Sequence, residues 1–187
     1  MKTNANSVRV GNAIEYQNKL WRVAKTEHTM PGKGGAFVQM ELREINGSTK
    51  LNERFRSSEN VEIARLDQEN YQFLYIDGDN IALMNPETYE QIEINKDTLG
   101  EQEKFLQDGM IVILESYEEK IIGVALPEEA TYEITETEAV VKGQTAASSN
   151  KPATLENGVR IMVPPFISVG DRVIIKTADG AYVGREK

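Results

Sequence analysis

Gly109-Met110-Ile111-Val112-Ile113-Leu114 and Gly170-Asp171-Arg172-Val173-Ile174-Ile175 decide how this chain is read. They align residue for residue, with Val112-Ile113-Leu114 over Val173-Ile174-Ile175. Each opens on a glycine, runs into an apolar strand, turns through polar residues and returns in a second apolar strand. The return strands are Ile121-Ile122-Gly123-Val124 and Ala181-Tyr182-Val183. An earlier copy is Gly11-Asn12-Ala13-Ile14 with Leu20-Trp21-Arg22-Val23. One early hairpin and two later ones about sixty residues apart predict three small β-barrels in an all-β chain. We set their limits at residues 1–64, 65–128 and 129–187.

Working outward from the first hairpin, Leu20 to Lys25 is rich in strand formers. Ala36, Val38, Met40 and Leu42 alternate with Phe37, Gln39, Glu41 and Arg43, the period of a half-buried strand. Between them lies His28-Thr29-Met30-Pro31-Gly32-Lys33-Gly34-Gly35-Ala36-Phe37, read as a hairpin loop. Pro31 fixes φ, while Gly32, Gly34 and Gly35 strip Cβ atoms from both sides of one lysine. No acidic residue lies between His28 and Met40, so Lys33 has no ion-pair partner within its own loop. A bare cation with open backbone around it suits phosphate or RNA; the plain alternative is a solvated hairpin tip. Asn46-Gly47-Ser48 marks the next tight turn. Leu51, Glu53 and Phe55 then alternate with Asn52, Arg54 and Arg56, which sets two arginines on the polar face of an SH3-like barrel closed by Val61 and Ile63.

In the second segment, Tyr71 to Ile76, Ile81 to Met84 and Gln91 to Ile94 read as strands. Asp97 to Gln107 reads as one short helix burying Leu99, Phe105 and Leu106. Strands plus one helix in about sixty residues fit a five-stranded OB barrel. Pro127-Glu128-Glu129-Ala130 is a polar joint. Beyond it Thr131 to Thr135 alternates, Gly143 to Asn150 is a small polar loop, and Pro164-Pro165 ends the strand begun at Gly158. Trp21 and the Tyr71/Phe73/Tyr75 stripe sit at strand spacing and are read as core. Tyr182, three residues before Arg185, can clamp an RNA strand, or can equally be a packing residue beside a surface charge.

The 187 residues carry a net charge of −9. Residues 1–64 stand at +3, residues 65–128 at −11 and residues 129–187 at −1. The end that carries the lysine loop is basic and the middle strongly acidic, a polarity that would orient the molecule towards a polyanion. With no cysteine, disulfides, thiolate zinc and a Cys nucleophile are excluded. One histidine, His28, leaves no two-histidine metal site, and no Gly-x-Ser-x-Gly elbow supplies a nucleophile. Glu27 stands where a phosphate-cradling P-loop needs its first glycine, and Phe37 where a dinucleotide fingerprint needs its last. Asp77 and Asp79 begin like a calcium loop, but Ile81 and Ala82 end the match. We therefore expect no catalytic residue, no metal and no cofactor. The N-terminus lacks a signal peptide's apolar segment, and no stretch is long and apolar enough to span a membrane, so a cytoplasmic location is expected.

Pro31-Gly32-Lys33-Gly34 followed by Ala36-Phe37-Val38 resembles the lysine loop of bacterial elongation factor P. The resemblance returns in Tyr75-Ile76-Asp77-Gly78-Asp79, in Lys151-Pro152-Ala153-Thr154-Leu155, in Val163-Pro164-Pro165-Phe166 and in Gly180-Ala181-Tyr182-Val183-Gly184-Arg185, and so covers the whole chain. It implies a KOW-type SH3-like barrel followed by two OB folds, L-shaped and about the size of a tRNA. It implies a monomer that binds both ribosomal subunits beside peptidyl-tRNA, between the peptidyl-tRNA and exit sites, and relieves stalling at consecutive prolines. Lys33 would approach the CCA end of that tRNA, extended by a lysyl-type group that a dedicated ligase attaches. Pro31, Gly32, Gly34 and Gly35 would support it, and Arg54, Arg56, Tyr182 and Arg185 would meet RNA. The family loop often reads Gly-Asp-Thr-Ala, whereas this chain has Gly143-Gln144-Thr145-Ala146, which weakens the expectation of a messenger contact there. The rival reading is a general single-stranded RNA-binding protein of OB barrels. It wants basic grooves on the barrels, and the middle barrel is the most acidic part.

Overall fold

The structure, a computed structural model, describes residues 1–140 and 149–187. The Gly143-Gln144-Thr145-Ala146 segment, and most of the loop expected over 143–150, lies outside the described residues. Strands dominate and form three curled antiparallel sheets. The first contains β1 (Lys2–Asn4), β2 (Ala13–Tyr16), β3 (Lys19–Thr29), β4 (Phe37–Glu44), β5 (Lys50–Arg56) and β6 (Asn60–Ile63), in the order β1-β6-β2-β3-β4-β5. The second contains β7 (Asp67–Asp77), β8 (Asn80–Met84), β9 (Gln91–Asn95), β10 (Ile111–Tyr117) and β11 (Lys120–Ala125), in the order β11-β10-β7-β8-β9. The third contains β12 (Glu129–Thr137), β13 (Lys151–Leu155), β14 (Arg160–Val163), β15 (Arg172–Lys176) and β16 (Tyr182–Arg185), in the order β14-β13-β12-β15-β16.

The repeated glycine has one structural job in all three copies. Gly11, Gly109 and Gly170 all have φ near +90 (90°, 76° and 89°), where a side chain is strained. Each glycine and the residue after it exchange two backbone hydrogen bonds with one strand residue. Gly11 and Asn12 clamp Val23, Gly109 and Met110 clamp Phe73, and Gly170 and Asp171 clamp Ile134. Directly after each clamped residue the strand slips register against a neighbour: at Val23/Lys25, Phe73/Tyr75 and Ile134/Glu136. A bulge at that point bends a long strand, as curling a sheet into a barrel demands.

The chain packs as two compact units, residues 1–69 with 114–124, and residues 70–113 with 125–187. In the first unit, the core of the six-stranded sheet is Ile14, Trp21, Val23, Val38, Met40 and Leu42, with Phe55 closing it. Tyr16 meets Phe55 edge-on at 5.3 Å, and the Trp21 indole donates to the Tyr16 carbonyl at 2.8 Å. In the second unit, Tyr132, Ile134, Leu155, Ile167 and Ile175 are fully buried.

Two expectations are corrected. The helix expected over 97–107 is instead two short 3-10 segments, Lys96–Thr98 and Gly100–Phe105. Gly100 lies at φ 56°, a left-handed conformation that no continuous helix can pass through. Leu99 and Phe105 are buried as expected, whereas Leu106 is half-buried. The second correction is Tyr75, which leaves the aromatic stripe: Tyr71 and Phe73 are core, but Tyr75 is 53% exposed. The bulge after Phe73 takes it out of the alternation.

Candidate functional site: the tip and flank of the β3–β4 hairpin

β3 and β4 stay paired out to Thr29 and Phe37, so His28 and Thr29 belong to the strand, not to the loop. β5 pairs along β4 to the same level, where Phe37 faces Arg56. The Ser57 amide then donates to the Ala36 carbonyl at 2.9 Å. Seven residues, 30–36, form the tip, with Lys33 at their middle. Residues Met30 to Gly35 are all exposed. Among the described residues Lys33 takes part in no salt bridge. The nearest carboxylate along the strand, Glu27, is occupied by Lys25 at 2.6 Å.

The tip glycines differ in what they do. Gly34 has φ 120°, which only glycine adopts without strain, and a Cβ there would stand 3.8 Å from the Pro31 ring. Gly32 and Gly35 have no atom within 4 Å of a built Cβ. Their missing side chains serve no internal packing; they leave the backbone on either side of Lys33 bare.

Below the tip lies an open groove lined by Gly35, Ala36, Phe37, Arg54, Arg56, Ser57, Ser58 and Glu59. The Arg54 guanidinium lies 3.3 Å from the centre of the Phe37 ring, a stacked cation that keeps its hydrogen-bonding edge free. Neither Arg54 nor Arg56 enters a salt bridge among the described residues. Glu59 accepts from the Arg56 amide at 3.1 Å and so caps the turn out of β5. The sequence places both arginines on one polar face; what it misses is Phe37 as the platform beneath Arg54. The signal that could have found it is the register that puts Val38 opposite Phe55, which sets Phe37 beside both arginines.

Tyr182 and Arg185 have different neighbours. Tyr182 is half-buried and lines a pocket with Pro152, Arg160, Ile161 and Met162. Arg185 lies 3.9 Å from the Asp171 carboxylate and 5.8 Å from the centre of the exposed Phe166 ring. Phe166 is a second residue that sequence reasoning passes over. Among the described residues no cluster of three or more His, Asp or Glu side chains can hold a metal ion. Among the described residues no helix is long and apolar enough to cross a membrane.

Known proteins resemble this chain from residue 4 to residue 185. Residues 4–61 match the family described as Elongation factor P (EF-P) KOW-like domain, residues 66–124 the Elongation factor P (EF-P) OB domain, and residues 130–185 Elongation factor P, C-terminal. Elongation factor P of Brucella canis and that of Brucella ovis are each 55% identical to it over 185 residues, 99% of this chain and 100% of theirs. Among solved structures, eukaryotic translation initiation factor 5A from Methanococcus jannaschii superposes with a TM-score of 0.50 at 25% identity, over 66% of this chain and 95% of that one. A KOW-like domain bearing a lysine-tipped hairpin, an OB domain after it, and family matches from residue 4 to residue 185 lead to one conclusion: the chain belongs to the elongation factor P family of translation elongation factors.

Proposed function

We propose that the protein binds both ribosomal subunits beside peptidyl-tRNA in the cytoplasm, as a monomer, and stimulates peptide bond formation where consecutive prolines stall it. The observation that carries this reading is Lys33: a cation at the apex of a paired three-stranded arm, with bare backbone on both sides and no ionic partner among the described residues. Proline is a poor nucleophile in a constrained geometry, so a factor that holds the tRNA end in a reactive pose accelerates the step without supplying a catalytic group. Lys33 would meet the CCA end, and its exposed amine is open to a ligase that attaches a lysyl-type group. Arg54 and Arg56, beside the tip, would hold phosphates of the acceptor strand, with Tyr182 and Arg185 as further RNA contacts. Three domains, 1–64, 65–128 and 129–187, divide the work between them.

The test separates charge from reach. Lys33→Ala removes both, and should abolish stimulation of proline-proline synthesis with the thermal midpoint unchanged, because an exposed tip contributes little to stability. Lys33→Arg keeps the charge but offers no primary amine. If charge suffices, it matches unmodified wild type; if an attached group is required, it fails as alanine does. An alanine protein that relieves stalling fully would overturn the assignment of the tip.

A further inference from the structure

Glu115 is the one buried carboxylate among the described residues, 7% exposed, and nothing in the reading of the tip uses it. Both its oxygens are taken. Oε2 accepts from Arg22 Nη2 at 2.6 Å, and Oε1 accepts from Gln68 Nε2 at 3.1 Å. The other terminal nitrogen of Arg22 donates to the Gly11 carbonyl at 3.2 Å. A carboxylate on β10 is thus tied at once to β3, to the Gly11 turn and to the start of β7. Close by, the Tyr117 hydroxyl donates to the Glu15 carboxylate, joining β10 to β2. All of these residues belong to the same compact unit.

Only the Glu115 side of the pair is buried, with the Arg22 side chain 35% exposed, and such a pair is a poor way to gain stability, because desolvation of the carboxylate offsets most of the attraction. What charge-assisted bonds at fixed angles provide is a single geometry, where an apolar seam allows sliding. The place of the pair matters too. Arg22 is on β3, the strand that runs on to Thr29 and forms one side of the arm. Seven residues of strand span about 23 Å. A tilt of about 10° at Arg22 would therefore move the arm's end by roughly 4 Å, and misplacement of about 1 Å can cost on the order of a hundredfold in a positioning mechanism. We propose that Arg22, Glu115 and Gln68 form a positioning latch that holds the loop-bearing barrel in one orientation on the β10–β11 hairpin, and so fixes the direction in which the arm presents Lys33. Its consequence for translation rests on the proposed role of Lys33; its geometry does not.

The chain has no cysteine, so spin labels can be attached at two introduced ones, Asn52→Cys on β5 and Lys120→Cys on β11, both exposed. Wild type should give one narrow distance distribution. Arg22→Met with Glu115→Leu, which replaces the ion pair by apolar side chains, should keep the thermal midpoint within a few degrees and at least double the distribution's width. In proline-proline synthesis, its maximal stimulation should fall about tenfold while the factor concentration at half-maximum changes less than threefold. Arg22→Lys, which retains the charge, should stay close to wild type in both. A narrow distribution in the apolar pair would overturn the latch, and a broad one with undiminished stimulation would overturn its positioning role. If the apolar pair does not fold, Glu115→Gln, which keeps shape and removes charge, is judged by the same outcomes. If wild type itself gives no stimulation, the reading of Lys33 fails, while the distance measurement still decides the latch.

Discussion

Replacing Phe105 by alanine should open the second compact unit and leave the lysine-bearing barrel intact. Phe105 ends the second 3-10 segment, before β10, yet its ring is 2% exposed because it packs against the third sheet. It meets Tyr132 edge-on, with centroids 6.2 Å apart at 67°, and a Cβ built on Gly180 would stand 3.4 Å from the end of its ring. Neighbouring bonds bind the same segment to the same sheet. Gln107 donates to the Thr131 carbonyl and Asn157 to the Lys104 carbonyl, each at 2.8 Å. Deleting a buried phenylalanine ring costs about 3–5 kcal/mol, and a lost aromatic pair of this geometry puts the value at about 4 kcal/mol. At about 1.4 kcal/mol per decade, that is an increase in opening on the order of a thousandfold. Native-state hydrogen exchange reads it strand by strand. Amides of β12, β15 and β8 should lose protection together, while those of β3 and β4 keep theirs. Changes below tenfold in β12 and β15 would refute the idea that this ring ties segment 96–107 to the third sheet.

Three further expectations concern other parts of the molecule. Burial, with the Glu156 charge second, pushes the Tyr132 hydroxyl up to about 12 from an ordinary 10.0. Its contribution is therefore fully present below about pH 10 and lost as pH rises towards 12. The same hydroxyl donates to the Phe105 carbonyl, so Tyr132→Phe should remove that alkaline component of the unfolding midpoint, at a neutral-pH cost of about 1–3 kcal/mol for the carbonyl left unpaired. Glu118 and Glu119 form the β10–β11 turn with φ of 48° and 65°, so Glu118→Asn with Glu119→Gly should relieve about 1–2 kcal/mol of left-handed strain and raise the melting temperature by roughly 2–4 °C per kcal/mol. Unchanged melting would show that the two acidic residues bear the turn without strain. Arg54→Gln with Arg56→Gln should weaken ribosome binding and flatten its dependence on log salt by about one unit per arginine, in filter binding over a salt series; equal slopes would mark both side chains as solvated surface.

What could be read in the sequence is what local chemistry dictates. The alternation of Val38, Met40 and Leu42 foretells the buried side of β4, and proline and glycine around residues 31–35 foretell the tip. Tyr75 could not be read in this way. Its exposure follows from a bulge that is set by Gly109 and Met110 clamping Phe73 from far along the chain. Gly100 likewise divides a helical pattern by its φ alone, which composition does not show. At the candidate site the lysine was legible because its neighbours in sequence mark it. The Phe37–Arg54 stack was not, because it depends on the β4–β5 register.

The paired arm has a consequence for how Lys33 meets a partner. The last ladder pair below the tip joins Thr29 and Phe37, and the Ala36 carbonyl is held by the Ser57 amide, so the chain outside the ladder amounts to three residues before Lys33 and two after it. Three steps from Ala36 to Lys33 extend at most about 11 Å, which with the side chain keeps the amine within roughly 17 Å of a fixed anchor. One group confined to a sphere of that radius has an effective concentration on the order of 0.1 M at any point it can touch. Were the barrel docked beside a target held within that radius, the amine would meet it without a search through solution.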